Sequence, residues 1–78
     1  MGIRYKGKEY GSLSELNSQI PLQEWLEVET DKLEIVSKAF YRGKLLVTYV
    51  LETDKDMGFL VTLVESSRNM KVLGMYIF

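Results

Sequence analysis

Cysteine and histidine are both absent from this chain of 78 residues. Without cysteine, no disulfide framework and no thiolate–zinc site can form, so a domain this small must be held by its own core or by a partner subunit. Without histidine, the chain lacks the commonest acid–base group and the usual base that activates a serine. Proline occurs once, at Pro21, and tryptophan once, at Trp25. An excess of one charge is also missing: ten Lys and Arg stand against eleven Asp and Glu, for a net charge of −1. That balance excludes a strongly basic nucleic-acid binder and a polyanionic DNA mimic, but leaves room for a local patch. No uncharged stretch is longer than Met57 to Val64, far short of a membrane span. Met1 to Lys6 has no apolar core of a signal peptide, and Lys6 stands where myristoylation wants Ser or Thr. A soluble, cytoplasmic protein without membrane association is the expectation.

What the chain does have is apolar material. Apolar residues make up 46% of it, enough for a core and too much for a disordered segment. The length fits one domain spanning residues 1–78. Ile3 to Tyr10 reads as a short hairpin with Gly7 in its turn. Ser12 and Glu15 have the spacing of a capping box, and Leu13, Leu16 and Ile20 follow at helical intervals. Pro21 biases Ile20 away from helical geometry and can open a second short turn, with Leu22, Trp25 and Leu26 on one face. Two short helices or one kinked helix are therefore expected between Ser12 and Glu27.

The pattern then changes to strands. Leu33–Tyr41, Lys44–Glu52, Phe59–Glu65 and Lys71–Phe78 are rich in Val, Ile, Leu, Tyr and Phe. Arg42-Gly43 fits a tight hairpin turn, and Asp54 to Gly58 and Ser66 to Asn69 fit longer ones. Short links make neighbouring strands antiparallel. The expected fold is α+β: an N-terminal β-hairpin, a short kinked helix or two short helices, then a four-stranded antiparallel meander.

Little here points to catalysis. Ser37 beside Lys38, or Ser67 near Lys71, offers a Ser–Lys pair, but adjacent strand residues point to opposite faces. The expectation is that the chain is not an enzyme and uses no cofactor. Asp54, Asp56 and Glu65 fall at the first, third and twelfth places of a calcium-loop template. The template wants glycine sixth, where Phe59 stands, and the residues that follow look like a strand, so no metal site is assigned.

Two patches are candidates for binding. Arg4, Tyr5, Lys6, Lys8 and Tyr10 interleave cations with aromatic rings, as single-strand-binding sheets do, and Arg42 and Lys44 extend the charge. The plainer reading, a solvated edge hairpin guarded by its lysines, is preferred because the whole chain is not basic. Glu24, Glu27, Glu29, Asp31 and Glu34 form an acidic stretch with only Lys32 as counterweight, and such a stretch could meet a basic partner. It also fits the wet face of the second helix and the loop after it. The run Tyr5-Lys6-Gly7-Lys8-Glu9-Tyr10-Gly11-Ser12-Leu13-Ser14-Glu15-Leu16 resembles the hairpin-then-helix opening of small modules in phage and mobile-element proteins, some of which accompany DNA-binding or nuclease domains. Those modules continue into a basic helix. Here acidic residues and strands follow, so the resemblance implies a phage or mobile-element origin and not DNA reading.

The strands themselves carry the sharpest signal. If Tyr41 pairs with Lys44, one face collects Val36, Phe40, Leu45, Val47, Tyr49 and Leu51. The other collects Ile35, Ala39, Tyr41, Leu46 and Val50, with only Ser37, Thr48 and Lys44 to dilute it. A half-exposed antiparallel strand should alternate apolar and polar residues, and these do not. A second apolar face is therefore expected, either closed into a small barrel, packed on another copy, or offered to a target. Candidate partner-binding residues are Ile35, Tyr41, Leu46 and Val50 on the sheet and Glu24, Glu27, Glu29 and Asp31 in the acidic stretch. The expected function is a small protein-binding module, a phage-type inhibitor of a host enzyme or defence complex, with a homodimer through the sheet face as its expected assembly. The alternative is a single-stranded nucleic-acid binder using the N-terminal hairpin.

Overall fold

Ile3–Tyr5 (β1) and Lys8–Tyr10 (β2) pair as an antiparallel hairpin across Lys6-Gly7. Both turn residues have positive φ, 50° and 78°, the turn whose twist suits a two-residue hairpin. The structure is a computed structural model and describes residues 3–30 and 33–78. The helix α1, Leu13–Asn17, starts where the capping box placed it: Ser12 is extended, and its Oγ accepts the Glu15 N–H at 3.1 Å. A second acceptor comes from far along the chain. Asp56 Oδ1 takes the Leu13 N–H at 2.9 Å, and Oδ2 takes the Ser14 N–H at 3.0 Å. The donors that a helix start leaves unsatisfied are thus met from both sides.

Pro21 ends this segment and precedes a 3₁₀ helix, Leu22–Glu27. The expected pair of short helical pieces is present, with one correction. Leu22 and Leu26 do not share a buried face with Trp25; both are exposed, while Trp25 is only 1% exposed. A 3₁₀ helix repeats every three residues, so Leu26 falls off the row that Trp25 occupies, while Leu22, on that row, is the first residue of the helix and stays 41% exposed. Glu29–Thr30 (β3), absent from the sequence reading, pairs with the outer side of β1 and completes a three-stranded sheet in the order β2-β1-β3. A strand of two residues has no periodicity to read.

Leu33–Tyr41 (β4), Lys44–Glu52 (β5), Met57–Ser66 (β6) and Asn69–Ile77 (β7) form the expected antiparallel meander in the order β4-β5-β6-β7. Arg42 and Gly43 have φ of 51° and 77°, and Tyr41 pairs with Lys44. Among the described residues nothing pairs β4 with β7, so the sheet is open rather than closed into a barrel. The fold is α+β, and no described helix is long and apolar enough to cross a membrane.

The core lies between the two sheets. Ile3, Tyr5, Tyr10, Leu13, Leu16 and Trp25 pack on Leu51, Leu60 and Val72, with Tyr49, Met75 and Ile77 at the margin. Register places all these sheet residues on one side: Tyr49 is opposite Leu60, Leu60 opposite Met75, and Leu51 opposite Gly58. Trp25 has its Nε1–H bonded to Asn17 Oδ1 at 3.2 Å, which satisfies the polar end of a buried ring. Gln23 covers part of the outer edge of β7. Its amide donates to the Met70 carbonyl and accepts the Val72 N–H, both at 3.3 Å, as a neighbouring strand would.

Candidate functional site

The N-terminal layer covers one face of the sheet over β5 to β7 and stops short of β4, where Leu33, Ile35 and Phe40 on that same side are 48%, 51% and 82% exposed. The opposite face is bare among the described residues. Leu46, Thr48 and Val50 of β5 lie on the bare side, paired with Leu63, Val61 and Phe59 of β6. Phe59 is opposite Tyr76 of β7, and Val61 is opposite Gly74. Ala39 pairs with Leu46, and Tyr41 with Lys44, adding β4 to the same surface. Among the described residues no element packs over this face, and none of these side chains belongs to the core cluster. Tyr76 is 58% exposed and Phe78 71%.

Local sequence shapes the bare face. Gly74 leaves room for the Tyr76 ring, which would lie 2.9 Å from a Cβ there. The ring therefore lies back over its own strand, covering the sheet where the glycine has no side chain. Phe78 meets Phe59 edge to face with centroids 5.2 Å apart, a favoured aromatic geometry. Together Phe59, Tyr76 and Phe78 make an aromatic corner that no layer of the described residues shields.

Charge is distributed unequally along the strands. At the end holding the β4–β5 and β6–β7 turns stand Arg42, Lys44, Arg68 and Lys71, with Glu65 as the opposing charge. Lys44 Nζ lies 3.6 Å from Glu65 Oε1. At the other end stand Glu34, Glu52, Asp54 and Asp56, with Lys55 opposing. Lys44 and Glu52 point to the bare face, as does Glu34 through its pairing with Val50. The bare face is thus apolar along its length, basic at one end and acidic at the other.

The expected site residues divide sharply. Leu46, Val50 and Tyr41 are on the bare face. Ile35 is not: a bulge between Ile35 and Ser37 shifts the register, so Ile35 pairs with Tyr49 and faces the side of the N-terminal layer, beyond whose edge it stays 51% exposed. A bulge inserts one unpaired residue, here Val36, and reverses the facing of everything beyond it. That insertion moves Val36 out of the expected set of core-facing residues as well. The bare-face residues on β6 and β7 were missing from the expected site, although their alternation becomes legible once the register is fixed.

The two expected charged patches largely cancel one another. Arg4 pairs with Glu29 across β1 and β3, with Nε 3.8 Å from Oε2, and Lys6 Nζ lies 4.0 Å from Glu24 Oε2. Tyr5 and Tyr10 are core residues, each 7% exposed, which corrects their expected role as stacking platforms for bases. Lys6 lies over the Tyr5 ring at 5.3 Å and Lys8 over the Tyr10 ring at 5.2 Å, so the cations crowd the rings they were expected to flank. Glu27 is exposed, and Asp31 lies outside the described residues.

The acids of the calcium template are also placed. Asp54 and Asp56 precede β6 and Glu65 lies near its far end, about 25–30 Å away for an extended strand of that length. Asp56 is committed elsewhere. Burial tends to raise its pKa, but hydrogen bonds from Thr53 Oγ1 at 2.6 Å, the Leu13 and Ser14 N–H groups and Ser14 Oγ outweigh this and hold the carboxyl below its ordinary range.

A smaller concavity lies on the covered side, where the N-terminal layer stops short of β4. Trp25, Leu26, Val28, Leu33, Tyr49, Leu51, Leu60 and Met70 line a hollow of about 260 Å³. Comparison with family models, curated proteins and solved structures gave no match to the chain.

Proposed function

We propose that this chain is a non-enzymatic protein-interaction module whose working surface is the bare face of the β4–β7 sheet. The observation that carries the reading is a face with an apolar middle, Leu46, Val50, Phe59, Val61 and Leu63, with no layer over it among the described residues. Contiguous apolar patches beyond a few hundred Å² are uncommon on lone chains and mark interaction sites. Binding rather than catalysis is supported by the missing histidine and cysteine and by Asp56, whose two oxygens are spent on holding a helix and a turn. A nucleic-acid role finds no comparable support, because the aromatic rings of the N-terminal hairpin are buried and two of its cations are paired with acids.

The test puts two charges in the middle of the face. Leu46→Lys with Val61→Lys changes side chains that no layer of the chain covers, so the fold should persist by far-UV circular dichroism. The parent should elute in a complex larger than the 9.0 kDa chain, either pure at micromolar concentration or in an extract of its native cells. The variant should elute as the lone chain. Parent and variant both running as the lone chain in both settings would end this reading.

A further inference from the structure

We infer that the bare face is closed by a second copy of the same chain, stacked so that the strands of the two sheets run antiparallel and the basic end of each lies over the acidic end of the other. This rests on the reading of the bare face as an interface and adds both the partner and its orientation. Two observations carry it: the size of the face and the direction of its charge.

Size comes first. Four strands about 4.8 Å apart, each rising about 3.3 Å per residue over nine residues, present roughly 600 Å² in plan. Two such faces bury about 1,200 Å² before side-chain relief is counted, which reaches the range of stable interfaces. Sheets stack face to face about 10 Å apart with their strands nearly aligned, so one copy can cover the other along its whole length. Edge-to-edge growth is disfavoured by comparison. The outer edge of β7 is partly occupied by Gln23, and β4 carries both a bulge at Val36 and the charge of Lys38, devices that discourage strand addition.

Charge then selects the orientation. Two copies related by a twofold axis in the plane of contact can stack in two ways. With the axis along the strands, like ends coincide: β5 lies over the partner's β6 and β4 over the partner's β7, so the Arg42 turn of each copy crowds the Lys71 end of the other and Glu52 meets no cation. With the axis across the strands, β5 lies over β5 with its direction reversed. Lys44 and Glu52 are the first and last residues of β5 and point to the same face. In the second arrangement Lys44 therefore meets the partner's Glu52, and Glu52 meets the partner's Lys44. On β7, Lys71 approaches the partner's Tyr76 and Phe78, a cation over aromatic rings. Only the second arrangement places opposite charges together at both ends.

A charge exchange between two samples tests this directly. Lys44→Glu sets a carboxylate against the partner's Glu52, and Glu52→Lys sets an ammonium against the partner's Lys44. Each variant alone should dissociate about tenfold more readily than the parent, the scale of a few exposed pairs turned from attractive to repulsive. Mixing the two should restore association, because every contact in the mixed dimer is again between opposite charges. A single chain carrying both changes should self-associate like the parent, and this separates contact loss from any damage done by placing a second carboxylate beside Glu65. Sedimentation velocity at micromolar concentration reads all four samples, and about 1 M salt should erase the differences. If mixing restores nothing, or if the parent sediments as a lone chain, the second-copy arrangement is wrong. The face itself survives as an interface if a complex in native extract is still lost on Leu46→Lys with Val61→Lys.

Discussion

Along β5, Val47 and Leu51 are buried, whereas Leu46 and Val50, each one residue away, have no layer above them. The same residue types serve both sides of one strand. The difference is what lies across from them: β1 to β3, α1 and the 3₁₀ helix pack on one side, and among the described residues nothing packs on the other. A layer built from short elements has material for one face of β5 to β7 and not for β4. Apolar content therefore measures how much surface wants covering, while the length of the covering layer decides how much the chain covers alone. The surplus is what a partner can use.

The largest way to break this comparison is to truncate one aromatic on each side. Trp25→Ala removes a ring that is 1% exposed and strands the Asn17 side chain, and should cost about 3–5 kcal/mol. Tyr76→Ala on the bare face should change the stability of the dilute chain by no more than about 0.5 kcal/mol. Urea unfolding at concentrations low enough to keep copies apart measures both. Similar costs for the two variants would mean that the bare face is covered from within the chain.

A finer probe makes one identical change on both sides. A Cβ at Gly58 would lie 2.6 Å from Met75 Cε, 2.9 Å from the Tyr76 carbonyl oxygen and 3.0 Å from Leu13 Cδ1. One of those neighbours is backbone and another belongs to the packed helix, so Gly58→Ala should cost about 1–3 kcal/mol. At Gly74 the three nearest atoms all belong to the Tyr76 ring, which can swing into solvent. Gly74→Ala should therefore be near neutral in the dilute chain, helped by the smaller entropy of its unfolded state. Thermal melts of the two variants should separate clearly, and equal shifts would mean that the Tyr76 ring is as fixed as the core.

Much of this architecture was legible because its signals are local. The Arg42-Gly43 turn sets the pairing of Tyr41 with Lys44, and from it the faces of β5 follow by simple alternation. Ser12 and Glu15 mark the helix start within three residues. What escaped was set at a distance. The bulge at Val36 arises where β4 meets β5, and nothing in the run Leu33 to Tyr41 marks it, so simple alternation puts Ile35 on the wrong face. The pairing of Arg4 with Glu29 depends on β3, a strand of two residues, so two patches that look independent in sequence are in fact partners. The bare face was half legible: the excess apolar content was visible, but its extension across β6 and β7 needed the register.

A cost below those of Trp25→Ala and Gly58→Ala is expected at the anchor of the covering layer. Asp56 reaches 43 positions back to Leu13, and its carboxylate accepts the first two N–H groups of α1 while also taking the Thr53 hydroxyl. Asp56→Asn puts an amide N–H₂ where one of those acceptors was and should cost about 1 kcal/mol, the usual scale of a lost helix cap. The pH dependence follows from the lowered pKa in the folded chain. Above the ordinary Asp value of 3.8 both folded and unfolded chains are ionised, and the full stabilisation is present. As the pH falls below 3.8 the unfolded chain takes up a proton more readily than the folded one, so stability declines. The contribution is gone once the pH passes below the folded value. The gap in stability between parent and Asp56→Asn should therefore be constant near neutrality and narrow in acid. Urea unfolding of both proteins across that range measures it. A gap that stays constant into strong acid would mean that the carboxylate charge does not hold the layer in place, and that the Ser12 cap and the core contacts of Leu13 and Leu16 suffice.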